Sequence, residues 1–416
     1  MRVEISMQVA EGQQIEVIEA GITVVRGIKT AGVHAGLKRK RRDLALIYSE
    51  SPAVVVGTFT TNQVKAAPVL VTQARVRGRG VARAIVCNSG NANACNGPQG
   101  ERDALAMGAA VAKELGLAEE DVLVASTGVI GMPLDMDKVR AGIAAAAREL
   151  ARGREAAAAA VEGIMTTDTV PKEVAVRFRI QGRDCYLAGM AKGSGMIHPN
   201  MATMLAFMAT DCAVDKEALD RLFREVVSRT FNQVSVDGDT STNDMALLMA
   251  NGMAGNHPLT AADPEFPVFA RALEYAASQL AKAIARDGEG ASKLLEVKVE
   301  GASSDEAART IARSIARSNL VKAAVFGEDA NWGRILCAAG YAGIPFRPEG
   351  VNIYLGDLQV CEHGAALPFD EAVALEVLRQ PEVLIRVTMS EGRGEGVAWG
   401  CDLTYDYVKI NASYRT

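Results

Sequence analysis

The stretch "KGSGMIHPNMATMLAFMAT", Lys192–Thr210, decides how this chain is read. It opens on a cation and two glycines, passes Pro199 and Asn200, and ends in an apolar run. From Met204 to Thr210 the run is apolar enough to be read as a buried helix, with Thr203 a lone hydroxyl at its first turn. In an arbitrary chain such a threonine is a helix-start or core residue. It has a second use if the Ala202–Thr203 bond is cut, because a hydroxyl residue with a free α-amine carries its own base.

Histidine-based chemistry is poorly supplied. The chain has four histidines in 416 residues, none of them in an HxH or HExxH arrangement, so a zinc site is not expected. Of the polar clusters "NSGNANACNG", "ASTGVIG", "MTTDTVPK", "GSGMIHPNMATM" and "GDTSTND", only "GSGMIHPNMATM" holds a histidine, and a Ser-His-Asp triad is not expected. In "AKGSG" the lysine precedes the glycines, against the order of a phosphate loop, and no GxGxxG follows a strand. "VDGDTSTND", Val236–Asp244, begins like a calcium loop. Counted from Asp237, its sixth position is Thr242 and its twelfth Leu248, where Gly and Glu are needed. Capping and turn-making are the plain uses of such Asp, Ser, Thr and Asn side chains.

Composition narrows the class further. With 49% hydrophobic and 23% charged residues the chain is ordinary for a globular protein. Its net charge of −5 argues against nucleic-acid binding. The one dense basic run, "LKRKRRD" at Leu37–Asp43, is read as a solvated strand edge or turn. The N-terminus lacks the apolar core of a signal peptide and no window has eighteen uninterrupted apolar residues, so a cytoplasmic protein without membrane contact is expected. Seven cysteines without a CxxC pair suit reduced thiols, most of them buried.

Strands and helices alternate along the chain. "DLALIYS", "AVVVGTFT", "APVLVTQ" and "ARAIVCNSG" read as β-strands. "GERDALAMGAAVAKELG" reads as a helix stopped by Gly116. "DVLVASTGVIG" is a strand breaking into a glycine turn, and Met136–Met165 a helix interrupted near Arg152 and Gly153. Strands at Glu173–Ile180 and Asp184–Ala188 precede helical runs at Met204–Thr210, Lys216–Asn232 and Pro264–Arg286. Then come a strand at Lys293–Val299, helices at Ser304–Val325 and Trp332–Tyr341, and closing strands at Val351–Tyr354, Val383–Thr388 and Gly396–Tyr405. The alternation predicts a layered α/β or α+β architecture.

The motifs, taken together, resemble the ornithine acetyltransferase (glutamate N-acetyltransferase) family of arginine biosynthesis. "AGVHAGLKRKRRDLALIYS", "TTNQVKAAPV", "NSGNANACNG", "STGVIG", "TTDTVPK", "KGSGMIHPNMATML", "VDGDTSTND", "GEDANWGR" and "YVKINASYRT" carry the likeness across the whole chain. The resemblance implies an αββα sandwich related to N-terminal-nucleophile-like aminopeptidases over residues 1–290, and a smaller α/β domain over 291–416 whose tail returns to the active site. It implies self-cleavage between Ala202 and Thr203, giving an α chain of 1–202 and a β chain of 203–416, assembled as α2β2. Thr203 would then carry the acetyl group from N2-acetylornithine to glutamate. Thr127 and Gly128 match the oxyanion-stabilising pair. Substrate contacts map to Thr166, Lys192, Thr203, Glu289, Asn411 and Thr416, with Thr167 and Thr169 too close to Thr166 to separate. No cofactor or metal is implied, and acetyl-CoA as a second acetyl donor is left open. Two rivals remain: an N-terminal-nucleophile aminopeptidase or amidase, and a noncatalytic small-molecule-binding protein.

Overall fold

In the computed structural model, residues 7–9, 13–198 and 204–413 are described. They divide into two compact units. One holds the described residues of 1–193, 200–228 and 240–280, the other those of 194–199, 229–239 and 281–416.

The first unit is organised by a sixteen-residue strand, Leu44–Phe59. Its first half pairs antiparallel with Ile28–Val33 and its second half with Met245–Ala250, while Val81–Asn91 runs along it with a register shift between Tyr48 and Ala53. By changing partners, this strand links ten strands into one sheet that contributes two layers. The sheet continues from Val81–Asn91 to Val122–Val129. On the other side it runs from Met245–Ala250 through Leu205–Thr210, Arg183–Lys192 and Lys172–Ile180 to Gln13–Val17 and Met7–Val9. Between the layers lies a core that includes Ile47, Val55, Ile85 and Leu123 together with Met190, Phe207 and Leu247. Outside one layer, Leu46, Val86 and Val124 pack under Met107 and Val111 of helix Gly97–Leu115 and Ile143 of helix Met136–Glu149. Outside the other, Phe178 meets Phe269 of helix Phe266–Arg286 with ring centroids 6.1 Å apart. The order is helix, sheet, sheet, helix, as the resemblance implies.

Local chemistry explains several boundaries. Gly116 takes the left-handed conformation (φ +64°) that closes helix Gly97–Leu115. Asp135 caps the next helix through the Lys138 N–H. Gly153, at φ +105°, separates the two helices of the alanine-rich stretch, Met136–Glu149 and Arg154–Ile164.

Three expectations are corrected. Leu205–Thr210 is a strand, not a helix. It runs parallel to Met245–Ala250 and antiparallel to Arg183–Lys192, and all six residues are buried. A strand covered on both faces loses its alternation and reads as a continuous apolar run. "APVLVTQ" belongs to a helix, Ala67–Gly78, begun by Pro68 in its first turn. The Ser304–Val325 helix is two helices, Asp305–Arg317 and Asn319–Phe326, parted at Ser318, whose side chain caps the second.

The second unit has a seven-stranded sheet in the order Val234–Ser235, Gly394–Cys401, Leu294–Ala302, Glu382–Thr388, Asn352–Leu355, Leu358–Glu362 and Ala365–Ala366. Val297, Val299, Ile385 and Ala398 from this sheet share a core with Ile311 and Ile315 of helix Asp305–Arg317. The described chain ends in a helix, Tyr405–Ala412. No described helix is long and apolar enough to cross a membrane.

Candidate active site

In the first unit the "STGVIG" and "NSGNANACNG" motifs are strand ends lying side by side. Val122–Val129 runs parallel to Val81–Asn91, placing Thr127 opposite Ser89 and Gly128 opposite Gly90. Gly128 has φ +135°, and a Cβ added there would stand 2.3 Å from the Gly90 carbonyl carbon. Only glycine permits this approach. The asparagines hold the strand ends. Ser126 Oγ donates to Asn88 Oδ1 at 2.6 Å, and Asn88 Nδ2 to the Asn91 carbonyl at 2.9 Å. Asn243, from "GDTSTND", donates through Nδ2 to the carbonyls of Ala92 (2.6 Å) and Ser126 (2.8 Å). Two separated motifs therefore fix the backbone next to Thr127. Nearby Cys87 is not a nucleophile, since burial pushes its thiol up to about 12 despite the Lys192 and Lys38 ammoniums.

Thr166 and Lys192 meet around a residue the sequence reading did not single out, Asp168. Its buried carboxylate accepts from Lys172 Nζ (2.7 Å), the Gly193 N–H (2.7 Å) and the Thr166 N–H (2.9 Å). Burial pushes this carboxyl up, but the Lys192 and Lys172 ammoniums and the hydrogen bonds outweigh it and hold the group well below the usual carboxylate range. Asp168 is thus a fixed negative charge that ties the Thr166 turn to the Lys192–Gly193 strand end. The basic run is a turn, as expected, yet it is not simply solvated. Asp43 accepts from the N–H groups of Ala35, Gly36 and Lys38, Lys38 Nζ donates to the Met165 carbonyl at 3.0 Å, and Arg41 reaches the Asp168 carbonyl at 3.2 Å. Burial pushes the Lys38 ammonium down.

A second unanticipated acid is Asp244, which immediately precedes strand Met245–Ala250. It is 3% exposed, and its Oδ2 has no hydrogen-bond partner among the described residues. The next residue, Met245, donates its N–H to the Met204 carbonyl at 3.0 Å, so this strand lies against the chain that follows Thr203. Burial holds the Asp244 carboxyl well above its ordinary value, although the Ser241 hydroxyl and the Lys192 ammonium pull it down.

In the second unit, Glu289 and Asn411 are brought together: Asn411 Nδ2 donates to Glu289 Oε2 at 2.8 Å. The Glu289 N–H donates to the Ser194 carbonyl at 2.9 Å, and Ser194 Oγ to the Asp287 carbonyl at 2.7 Å. A Cβ on Gly195 would stand 2.3 Å from the Glu289 carboxyl carbon, which accounts for glycine there. Met196 is held left-handed at φ +55° with its N–H donated to Asp237, which also accepts from the Ile197 N–H. His198 approaches Ser235 Oγ at 3.1 Å, and burial together with the Arg313 and Arg317 charges pushes it down to about 4. It is a weak base at neutral pH. Among the described residues no group of His, Cys, Asp and Glu could hold a metal ion. Ala202, Thr203 and Thr416 lie outside the described residues.

The ArgJ family matches residues 29–416 of the chain. The arginine biosynthesis bifunctional protein ArgJ of Caldanaerobacter subterraneus subsp. tengcongensis is 53% identical over 406 residues, covering 97% of this chain and 100% of that protein. The protein of the same name from Symbiobacterium thermophilum is 53% identical over 405 residues, again 97% and 100%. A solved structure, ornithine acetyltransferase complexed with ornithine from Mycobacterium tuberculosis, is 42% identical over a match covering 45% of this chain and 100% of that chain, at a TM-score of 0.43.

Proposed function

The chain belongs to the ArgJ family, and from that premise we propose that it is an acetyltransferase of arginine biosynthesis. It cuts itself between Ala202 and Thr203 and then moves an acetyl group from N2-acetylornithine to glutamate through an acetyl-Thr203 intermediate. The observation that carries the reaction type is the strand end at Thr127–Gly128. There a hydroxyl and a backbone N–H follow one another at a position where the facing strand excludes any side chain. Acyl transfer passes through a tetrahedral oxyanion, and preset donors of this kind stabilise it by about 3–4 kcal/mol each.

The freed α-amine of Thr203, with an ordinary pKa of about 7.7–8.0, serves as the base. It takes the Oγ proton as Oγ attacks the acetyl carbonyl, and returns it to the departing amine of ornithine. Glutamate repeats the sequence in reverse. Lys192 offers a cation for a substrate carboxylate and Glu289 an anion for a substrate ammonium. Thr166, Asn411 and Thr416 supply hydrogen-bonding groups, and Thr167 and Thr169 remain the alternatives to Thr166. No cofactor or metal enters this reading, because nucleophile, base and oxyanion donors all belong to the chain. Acetyl-CoA is a second donor to the same threonine, and two α chains assemble with two β chains.

The test supplies N2-acetylornithine or acetyl-CoA separately with glutamate and measures acetylglutamate, with initial rates over both substrates. Parallel double-reciprocal lines and an acetyl group on the fragment starting at Thr203 are expected. Intersecting lines with no acetylated peptide, or acetate release in place of transfer, would replace this reading by direct transfer or hydrolysis.

A further inference from the structure

We propose that the basic turn at Lys38–Arg42 is the site that holds the phosphates of acetyl-CoA, the second acetyl donor. The inference rests on the acyl-transfer reading above and gives residues to a donor for which that reading names none. The turn passes beside the strand ends of the first unit. A Cβ on Gly90, the residue facing Gly128, would stand 2.9 Å from Lys38 Cγ and 3.5 Å from the Leu37 carbonyl oxygen. The stem of Lys38 therefore lies across the strand end that neighbours Thr127 and Gly128. The turn is held firmly in this place. Asp43, which is fully buried, accepts from the Ala35, Gly36 and Lys38 N–H groups at 2.6, 3.1 and 2.8 Å. Arg42 is taken up by the Gly32 carbonyl at 3.0 Å and by Glu162 at 2.5 Å. That leaves Arg39 and Lys40 at the tip, both exposed, with side chains that pair with no described residue. Lys138, from helix Met136–Glu149, brings a further cation alongside, its Cδ 3.5 Å from where a Cβ on Gly36 would stand.

The chemistry of the donor asks for such a place. Five consecutive cations stand here in a chain whose net charge is −5. Neither N2-acetylornithine nor glutamate calls for them, since Lys192 already offers a cation for a carboxylate. Acetyl-CoA differs, because it carries a diphosphate and a phosphate monoester, joined to the thioester by the pantetheine arm. A polyanion approaching a net-negative chain needs a local field of the opposite sign. Arginine forks and lysine ammoniums are the donors that suit phosphate oxygens. The placement matches the length of the arm in kind: the phosphates must lie to one side of the oxyanion donors. The turn adjoins those donors at Lys38 and carries its unpaired charges one and two residues further out. It takes no part in bond making and only holds the donor.

The test compares three donors with glutamate as acceptor: acetyl-CoA, S-acetylpantetheine, which has the same thioester and arm without phosphates, and N2-acetylornithine. In wild type, kcat/KM for acetyl-CoA should exceed that for S-acetylpantetheine, and the excess should shrink as sodium chloride is added. Arg39→Gln combined with Lys40→Gln should raise KM for acetyl-CoA at least about tenfold and leave KM for the other two donors unchanged. Arg39→Lys combined with Lys40→Arg keeps both charges and should stay near wild type. A double-glutamine variant with wild-type KM for acetyl-CoA overturns the proposal. So does an equal loss with all three donors, which would make the turn a structural element only. A wild-type chain that turns over N2-acetylornithine, yet neither accepts acetyl-CoA nor is inhibited by CoA, overturns this proposal alone. One that turns over none of the donors overturns the acyl-transfer reading and this inference with it.

Discussion

Gly128 has two independent reasons to be glycine: its positive φ and the Gly90 carbonyl 2.3 Å from where a Cβ would stand. Gly128→Ala should therefore displace the strand end and lower kcat by about 10²–10³, the cost of one lost oxyanion donor, when acetyl transfer is assayed on cut enzyme. A variant at wild-type kcat would remove Gly128 from the oxyanion pair. Asp168 and Asp244 are both buried carboxyls in one unit, yet their environments drive them in opposite directions. Asp168 is held below its unfolded value, so it stabilises the fold above about pH 4 and that contribution fades as pH falls through this range. Lys172→Met, which leaves a buried charge without its closest partner, should cost about 3–5 kcal/mol at neutral pH and flatten the acid side of the stability profile. Urea titrations across pH 3–7 measure both effects, and an unchanged profile would show that Lys192 alone holds the carboxylate.

The strand Leu205–Thr210 follows the proposed cut in the chain, and the helix Tyr405–Ala412 is the last described element. Phe207 is fully buried between the sheet layers, so Phe207→Ala should cost about 3–5 kcal/mol, read by thermal unfolding. The C-terminal helix is different, because none of its residues is buried. What it does in the structure is carry Asn411 to Glu289, over a turn whose Gly290, at φ +69°, would put a Cβ 2.6 Å from the Tyr407 nitrogen. Removing residues 411–416 should leave chain cutting intact and raise KM for acetylornithine and glutamate. A lowered melting temperature with KM unchanged would make the helix a packing element only.

For the whole molecule, cutting at Ala202–Thr203 would leave Leu205–Thr210 hydrogen-bonded on both edges, with Arg183–Lys192 of the first fragment on one side. The two fragments should accordingly co-elute on gel filtration in native buffer and separate only on a denaturing gel. Fragments that part without denaturant would contradict the burial of this strand in a sheet built from both.

The sequence by itself determined the helix–sheet alternation, the glycine stop at Gly116 and the break near Gly153, because these depend on local backbone preferences that single residues dictate. Its resemblance to the ornithine acetyltransferase family also singled out Thr127, Gly128, Lys192, Glu289 and Asn411. Tertiary structure alone decided that Leu205–Thr210 is a strand, since an element buried on both faces shows no period from which strand and helix could be told apart. It decided too that "APVLVTQ" is helical, where propensity and packing pull apart. The acids Asp168 and Asp244 were hidden for a related reason. An aspartate in a Thr- and Asn-rich run looks like any turn former until its burial is known. Only the folded chain supplies Asp168 with two lysines and leaves one oxygen of Asp244 without a hydrogen-bond donor among the described residues.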